Sequence, residues 1–167
     1  MQALLEGILE YSRSGRYSEE PEQISVKHLA HAVFESLTPP DGFTLEVKEM
    51  PPVKMEPPRM YTILFHLIKN SVQHHPSPAK GIISITCETE NEQLVFTVTD
   101  NGNGIKPQYA KKIFELFTTL KSKDEMETPG IGLPVVKKVL MDIGGDVWLD
   151  TTCTKGASFK FSIPVQQ

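Results

Sequence analysis

A mixed β-sheet carrying helices on one face, an α/β two-layer sandwich, is the fold class this sequence predicts. Three observations lead to it. Apolar residues recur at helical spacing through residues 25–37 and 59–75. They alternate with polar residues through 82–89 and 93–100, two strands joined by the short polar link Glu90-Asn91-Glu92. A glycine turn, Gly130-Ile131-Gly132, then opens a further helical pattern, and two more strands end the chain.

Taken in order, residues 1–14 read as the last turns of a helix, with Leu4, Leu5, Ile8, Leu9 and Tyr11 on one side and no cap at its start. Ser14 to Pro21 is a polar linker. A helix over residues 25–37 follows, with Val26, Leu29, Ala30, Val33, Phe34 and Leu37 as its apolar face, and Pro39-Pro40-Asp41-Gly42 stops it. Phe43 to Lys48 alternates as a strand, and Val53 to Met55 is a second, short one between proline pairs. The helix from Arg59 to His75 buries Met60, Ile63, Leu64, Leu67, Ile68 and Val72 and ends before Pro76. After the hairpin, Pro107 opens a short helix through Phe114. Thr118 to Pro129 has no periodicity and reads as a mobile loop. Ile131 to Ile143 is a helix closed by Gly144-Gly145, and strands over 147–151 and 158–163 flank a Thr154-Lys155-Gly156 turn.

With 167 residues the chain favours one domain with a short appendage. The net charge of −4 gives no general electrostatic case for nucleic acid or an anionic membrane. No apolar run approaches the roughly 20 residues that span a bilayer, and no basic-then-apolar signal segment opens the chain. Cys87 and Cys153 lie in β-like segments, without CxxC or zinc spacing, and read as free thiols of a reducing, cytoplasmic compartment.

Three pieces carry chemistry. On the Arg59–His75 helix, His66, Asn70 and His74 recur every four residues and share one stripe. The Asn70 carboxamide oxygen suits Mg²⁺, which prefers oxygen donors; the bland alternative is a solvated helix face. Zinc held by His66 and His74 is less attractive, because eight residues separate them by about 12 Å. At a strand end, Asp100 is placed to accept a hydrogen bond from an exocyclic amine such as that of adenine, or to start an Asx turn before Gly102. Gly102 and Gly104 either let a flat ring approach the backbone or supply positive φ. The Gly130-Ile131-Gly132 turn offers free backbone N–H groups at a helix start, where phosphate is favoured, and Lys121 and Lys123 lie in the loop before it.

Five segments in this order, ILFHLIKNSVQHH (63–75), DNGNGI (100–105), IFELF (113–117), PGIGLPVVKKVL (129–140) and KGASFKFSIP (155–164), resemble the N, G1, F, G2 and final boxes of the sensor histidine kinase ATP-binding domain. That family belongs to the Bergerat-fold group with gyrase, Hsp90 and MutL, and the resemblance runs from about residue 24 to 165. It implies a mixed, mostly antiparallel sheet with helices on one face, Asn70 as Mg²⁺ ligand, and Asp100 reading the adenine amine with Gly102, Gly104 and Ile105 beside the base. Gln73 and His74 would lie by the phosphates, with Gly130, Ile131, Gly132 and Leu133 at the triphosphate. Phe114 and Phe117 would anchor a lid that carries Lys121 and Lys123. LFTTLKSKDEMETPGIGL (116–133) is similar to the lids of phytochrome-like and PAS-linked kinases, and LLEGILEYSRSGR (4–16) resembles the end of a dimerisation helix. Residues 1–16 would then be a helix stub and linker, and 17–167 the ATP-binding domain.

Departures from the family pattern bear on activity. His66 stands where these kinases carry Asn and gyrase-like ATPases a Glu that activates water, which leaves His66 as a candidate substitute base. Gln73 replaces the usual Lys, Thr128 and Pro129 replace Gly-Thr, and Pro134 falls in a first helical turn. Ala157 lies where a hydroxyl residue is common, so a hydroxyl contact near the base would fall to Ser158. No segment resembles the phosphoacceptor box; His28 and His31 read as ordinary helix histidines. The reading is a Mg²⁺-ATP-binding kinase domain that donates the γ-phosphate to a histidine on a helical domain outside this chain, with a response regulator further downstream and the fragment itself a monomer or weak dimer. The rival is a nucleotide-sensing or dimerisation module without phosphotransfer.

Overall fold

The computed structural model describes residues 2–13, 17, 19–116 and 131–165. Among them lie seven strands: β1 (Glu22–Ile24), β2 (Thr44–Val47), β3 (Val53–Met55), β4 (Ile82–Glu90), β5 (Gln93–Asp100), β6 (Asp146–Leu149) and β7 (Ser158–Pro164). The helices are α1 (Gln2–Arg13), α2 (Val26–Ser36), α3 (Pro57–Gln73) and α4 (Gly132–Met141). The main sheet has the order β2-β4-β5-β7-β6, with the β2–β4 pair parallel and the other three pairs antiparallel. The mixed, mostly antiparallel sheet with helices over one face is therefore present.

Alternation along the strands builds the core. Ile83 and Ile85 of β4, Phe96 and Val98 of β5, Val147 and Leu149 of β6, and Phe159 and Phe161 of β7 are all buried. Phe96 stacks on Phe161 with ring centroids 4.7 Å apart. Over this face α3 lays Met60, Ile63, Leu64 and Leu67, and it packs against both α2 and α4. The opposite face carries the cross-strand row Thr86, Thr97, Lys160 and Trp148.

Several boundaries differ from the sequence reading, each for a local reason. β1 was not expected; it lies in the stretch after the linker and pairs antiparallel with β3 as a separate two-stranded sheet. Helix α3 starts at Pro57 rather than Arg59, because two prolines at the first helical positions lack only N–H groups that would have no intrahelical partner. It ends at Gln73, not His75: His75 precedes Pro76, which disfavours helical geometry at that residue. The β4–β5 link is the two-residue turn Asn91-Glu92, both at positive φ (50° and 63°), the type I′ geometry that suits the twist of paired strands. Residues 107–114 form two 3-10 turns, Pro107–Tyr109 and Lys112–Phe114, in place of one helix. The loop expected over 118–129 lies outside the described residues.

Buried Arg59 joins the two ends of the helical layer. Its guanidinium donates to the Val139 carbonyl at 2.9 Å and to Glu56 at 3.2 Å, and it lies 3.5 Å from the Asp142 carboxylate. The N-terminal turn of α3 is thereby tied to the C-terminal turn of α4. Replacing Arg59 by Ala strips those acceptors of a charged donor, and we expect a loss of about 3 kcal/mol in urea unfolding. A loss under about 1 kcal/mol would show that the helices hold their angle without it.

Candidate functional site

The site begins at the end of β5. Asp100 follows Phe96 and Val98 on the same face of the strand, so its carboxylate points toward the helical layer, where it is 8% exposed. A carboxylate so placed needs donors. Its Oδ1 accepts from the backbone N–H of Gly102 at 2.9 Å and of Ala157 at 3.1 Å. The first bond is the Asx turn that the sequence offered as one alternative, and the second comes from the turn between β6 and β7.

That second turn reaches Asp100 because of glycine. Gly156 has φ +74°, and a Cβ built on it would lie 1.8 Å from the Asp100 carbonyl oxygen. Gly104, at φ +79°, packs in turn on Gly156: its Cβ would lie 2.7 Å from the Gly156 carbonyl oxygen. Gly102 does not have positive φ, so of the two glycines in the DNGNG turn only Gly104 uses the left-handed region. Ile105 is half-buried against the core. The Ser158 hydroxyl pairs with Thr99 Oγ1 at 2.9 Å, and β-register places both on the face away from Asp100. What this segment gives Asp100 is therefore the Ala157 N–H, not a serine hydroxyl.

The second part of the site is where α3 passes the start of α4. His66 is buried, and a Cβ at Gly132 would lie 3.1 Å from its Nδ1. The stripe on α3 is thus not a solvated face at its first member; Asn70 and His74 are half-buried, while Gln73 is exposed. Ile131 is buried and Leu133 half-buried at the same helix start. Nearby, Phe114 meets Phe159 edge-on at 6.3 Å, with the Lys137 ammonium 5.5 Å from its ring. Phe117, Lys121, Lys123 and Gly130, with Thr128 and Pro129, lie outside the described residues.

Helix α1 reaches this corner. Glu10 Oε1 lies 2.6 Å from His66 Nε2. The His66 hydrogen bond holds the Glu10 carboxyl below its ordinary range, against the opposing effect of burial, and the Lys69 charge adds to it. Lys138 donates to the Tyr11 carbonyl at 2.7 Å and sits 4.7 Å from the Tyr11 ring, which satisfies the C-terminal turn of α1. Arg59 lies over the Tyr17 ring at 4.7 Å.

Glu10 and Gly156 were not singled out by the sequence. Gly156 was legible only as turn punctuation, since its contact with Asp100 spans the sheet. Glu10 sits in an ordinary helix pattern with no local signal.

Two outcomes follow from this geometry. Gly156→Ala combines left-handed strain with a backbone collision, and we expect it to cost about 3 kcal/mol or more in thermal unfolding; an unchanged melting temperature would refute the tight approach. For Glu10, the folded carboxyl is held low, so its contribution is present above the ordinary carboxylate range and lost as pH falls through the folded value. With solvent reaching Glu10, that contribution is about 0.5 kcal/mol. Amide protection factors over residues 5–13, corrected for intrinsic exchange, should fall by about twofold below about pH 4.5. In Glu10→Gln that lower protection should be present already at neutral pH, and identical profiles for both proteins would rule the contact out.

Comparison with known proteins shows the family. Residues 55–167 match the family model described as histidine kinase-, DNA gyrase B-, and HSP90-like ATPase. The phytochrome-like protein Cph1 of Synechocystis is 30% identical over 99% of the chain, which spans 22% of that protein. The adaptive-response sensory kinase SasA of a Synechococcus strain is also 30% identical over 99% of the chain, here 46% of the relative. Among solved structures, full-length ShkA in complex with AMPPNP aligns with TM-score 0.76 over 97% of this chain and 35% of that one, at 23% identity. The catalytic domain of the histidine kinase ThkA aligns at TM-score 0.66 and 23% identity, over 87% of this chain and 97% of that domain. With its carboxylate clamped by backbone at a strand end and its glycine-led helix over α3, the chain belongs to the histidine kinase-, DNA gyrase B- and HSP90-like ATPase family.

Proposed function

We propose that this chain is the Mg²⁺-ATP-binding catalytic domain of a two-component sensor histidine kinase, and that it presents the γ-phosphate to a histidine on a separate helical domain. The observation that carries the reading is the Asp100 carboxylate, held by two backbone N–H groups on Oδ1 at the edge of the helical layer. Its other oxygen would accept the N6 amine of adenine, with Gly102, Gly104 and Ile105 beside the ring. The start of α4 at Ile131, Gly132 and Leu133, together with Gly130, would offer backbone N–H groups and a positive helix end to the phosphates. Gln73 and His74 at the end of α3, and Lys121 and Lys123 of the lid, would line the same region, and Phe117 would anchor that lid beside Phe114.

Asn70 fits a Mg²⁺ ion as a neutral oxygen donor on the half-buried side of α3. Among the described residues no three His, Cys, Asp or Glu side chains converge on a metal position. A magnesium ion here would take its remaining ligands from phosphate oxygens and water, its usual habit with nucleotides. When bound it supplies charge neutralisation along the phosphates. The chain's own residues bind and orient: transfer breaks the bond from the γ-phosphorus to the bridging oxygen and forms one to the acceptor imidazole nitrogen, steps that depend mainly on position and charge. His66, engaged with Glu10 beside Gly132, would line the phosphate end as a candidate base.

The chain spans about a fifth of the length of Cph1; the acceptor helices belong to the longer kinase we infer, and a response regulator would be its partner. Residues 1–16 would be the end of its dimerisation helix with a linker, 17–167 the catalytic domain, and the fragment alone a monomer or weak dimer. No helix among the described residues is long and apolar enough to cross a membrane, and we place the domain in the cytoplasm, where ATP is available.

Calorimetric titration tests the reading. Native chain should bind ATP more tightly with Mg²⁺ than without, and Asp100→Asn should weaken ATP by about tenfold or more, since an amide group then faces the amine. Mixed with a histidine-bearing helical hairpin of a related kinase, the chain should label that hairpin from γ-labelled ATP. Nucleotide binding with no labelled hairpin would overturn the kinase assignment and leave a nucleotide-sensing module.

A further inference from the structure

We infer that His75 is a positioning residue for adenine recognition, acting through Asn101. The inference rests on the reading of Asp100 above, and it concerns the hydrogen bonds that hold the turn carrying Asp100.

His75 stands just past the end of α3. The Ser77 backbone N–H donates to its Nδ1 at 2.9 Å. A backbone N–H only donates, so Nδ1 is unprotonated and the ring proton sits on Nε2. That Nε2–H donates to Asn101 Oδ1 at 2.7 Å. The same oxygen accepts from the Ile82 N–H at 2.8 Å, and Asn101 Nδ2 donates to the Lys80 carbonyl at 2.9 Å. Every polar atom of the Asn101 amide is thus engaged, which fixes its orientation as well as its place.

Asn101 is the residue between Asp100 and Gly102, the two that form the carboxylate-bearing turn. Packing reinforces the link: the His75 ring meets Phe43 edge-on at 5.4 Å, and its Cδ2 would lie 3.6 Å from a Cβ at Gly102. One imidazole therefore joins the end of α3, the 77–81 loop and the DNGNG turn. Because α3 also carries Asn70, His75 sets the distance between the metal-side helix and the base-side turn.

These bonds are solvent-exposed, so each adds little to global stability. Their effect is read in selectivity instead. The experiment is calorimetric titration of Mg-ATP and of Mg-ITP, whose base has a carbonyl in place of the amine, against native chain, His75→Phe and His75→Gln. Phe keeps the edge packing and loses both hydrogen bonds; Gln retains an acceptor and a donor on one group. His75→Phe should lose about tenfold in ATP affinity with ITP changed less than about twofold, and His75→Gln should recover most of the preference. Should His75→Phe fail to fold, His75→Ala carries the same comparison. Equal losses for ATP and ITP, or no loss for either, would overturn the assignment. A native chain that does not prefer ATP, with Asp100→Asn unchanged, would overturn the Asp100 reading and this inference with it.

Discussion

The site depends on one backbone contact too close for any side chain. Where Gly156 crosses the end of β5, a Cβ would lie 1.8 Å from the Asp100 carbonyl oxygen. That approach brings the Ala157 N–H within 3.1 Å of Asp100 Oδ1. Asp100 is nearly buried, and a charge in that position without donors is strongly disfavoured. The positive-φ turn at Gly156, the stacking of Gly104 upon it and the Asp100 carboxyl group are therefore one arrangement. Lifting the turn would remove a donor from Asp100, and removing the carboxylate would leave two backbone N–H groups searching for an acceptor.

Helix α3 distributes that arrangement through the rest of the fold. Its first turn is tied by Arg59 to the end of α4, its middle meets Gly132 and α1 through His66, and its trailing residue His75 reaches the turn after β5. The three attachments differ in strength. Arg59 is buried and multiply bonded, whereas the Glu10 and Lys138 contacts of α1 are half-exposed and worth about 0.5–1 kcal/mol each. Leu5 and Leu9 of α1 face solvent, 59% and 43% exposed.

What the sequence made legible follows from the range of the forces involved. Core faces of α2 and α3, the alternation of β4 and β5, and the glycine turn after Asp100 are local patterns, and they appear where periodicity puts them. The β1–β3 pair was not legible, because three-residue strands carry too little alternation. The start of α3 at Pro57 was hidden because a proline pair reads first as a breaker. In the site, Asp100 and His66 were named from motif positions, and Gly102 as an Asx-turn partner, but the contacts of Asp100 with Gly156 and Ala157 and of His66 with Glu10 were not. Gly156, Ala157 and Glu10 lie 56 or 57 residues away from the groups they touch, and nothing in their own neighbourhoods marks those contacts. Ser158 was named for a hydroxyl that the strand register turns to the other face.

The division between backbone and side-chain contacts explains which departures leave the observed contacts in place. Both donors to Asp100 are main-chain N–H groups, so Ala157 serves as well as the hydroxyl residue common at that position: the donor does not depend on the side chain. The same holds for the free N–H groups at the start of a helix, which are present whether the preceding residues are Gly-Thr or Thr-Pro. Side-chain roles are more vulnerable. Gln73 in place of Lys removes a charge that no backbone group replaces, and His66 brings a ring where an amide is usual, taking Glu10 as its partner. The Asp100 contacts are therefore fixed by chain path and glycine positions, while the His66 contact with Glu10 depends on its side chain.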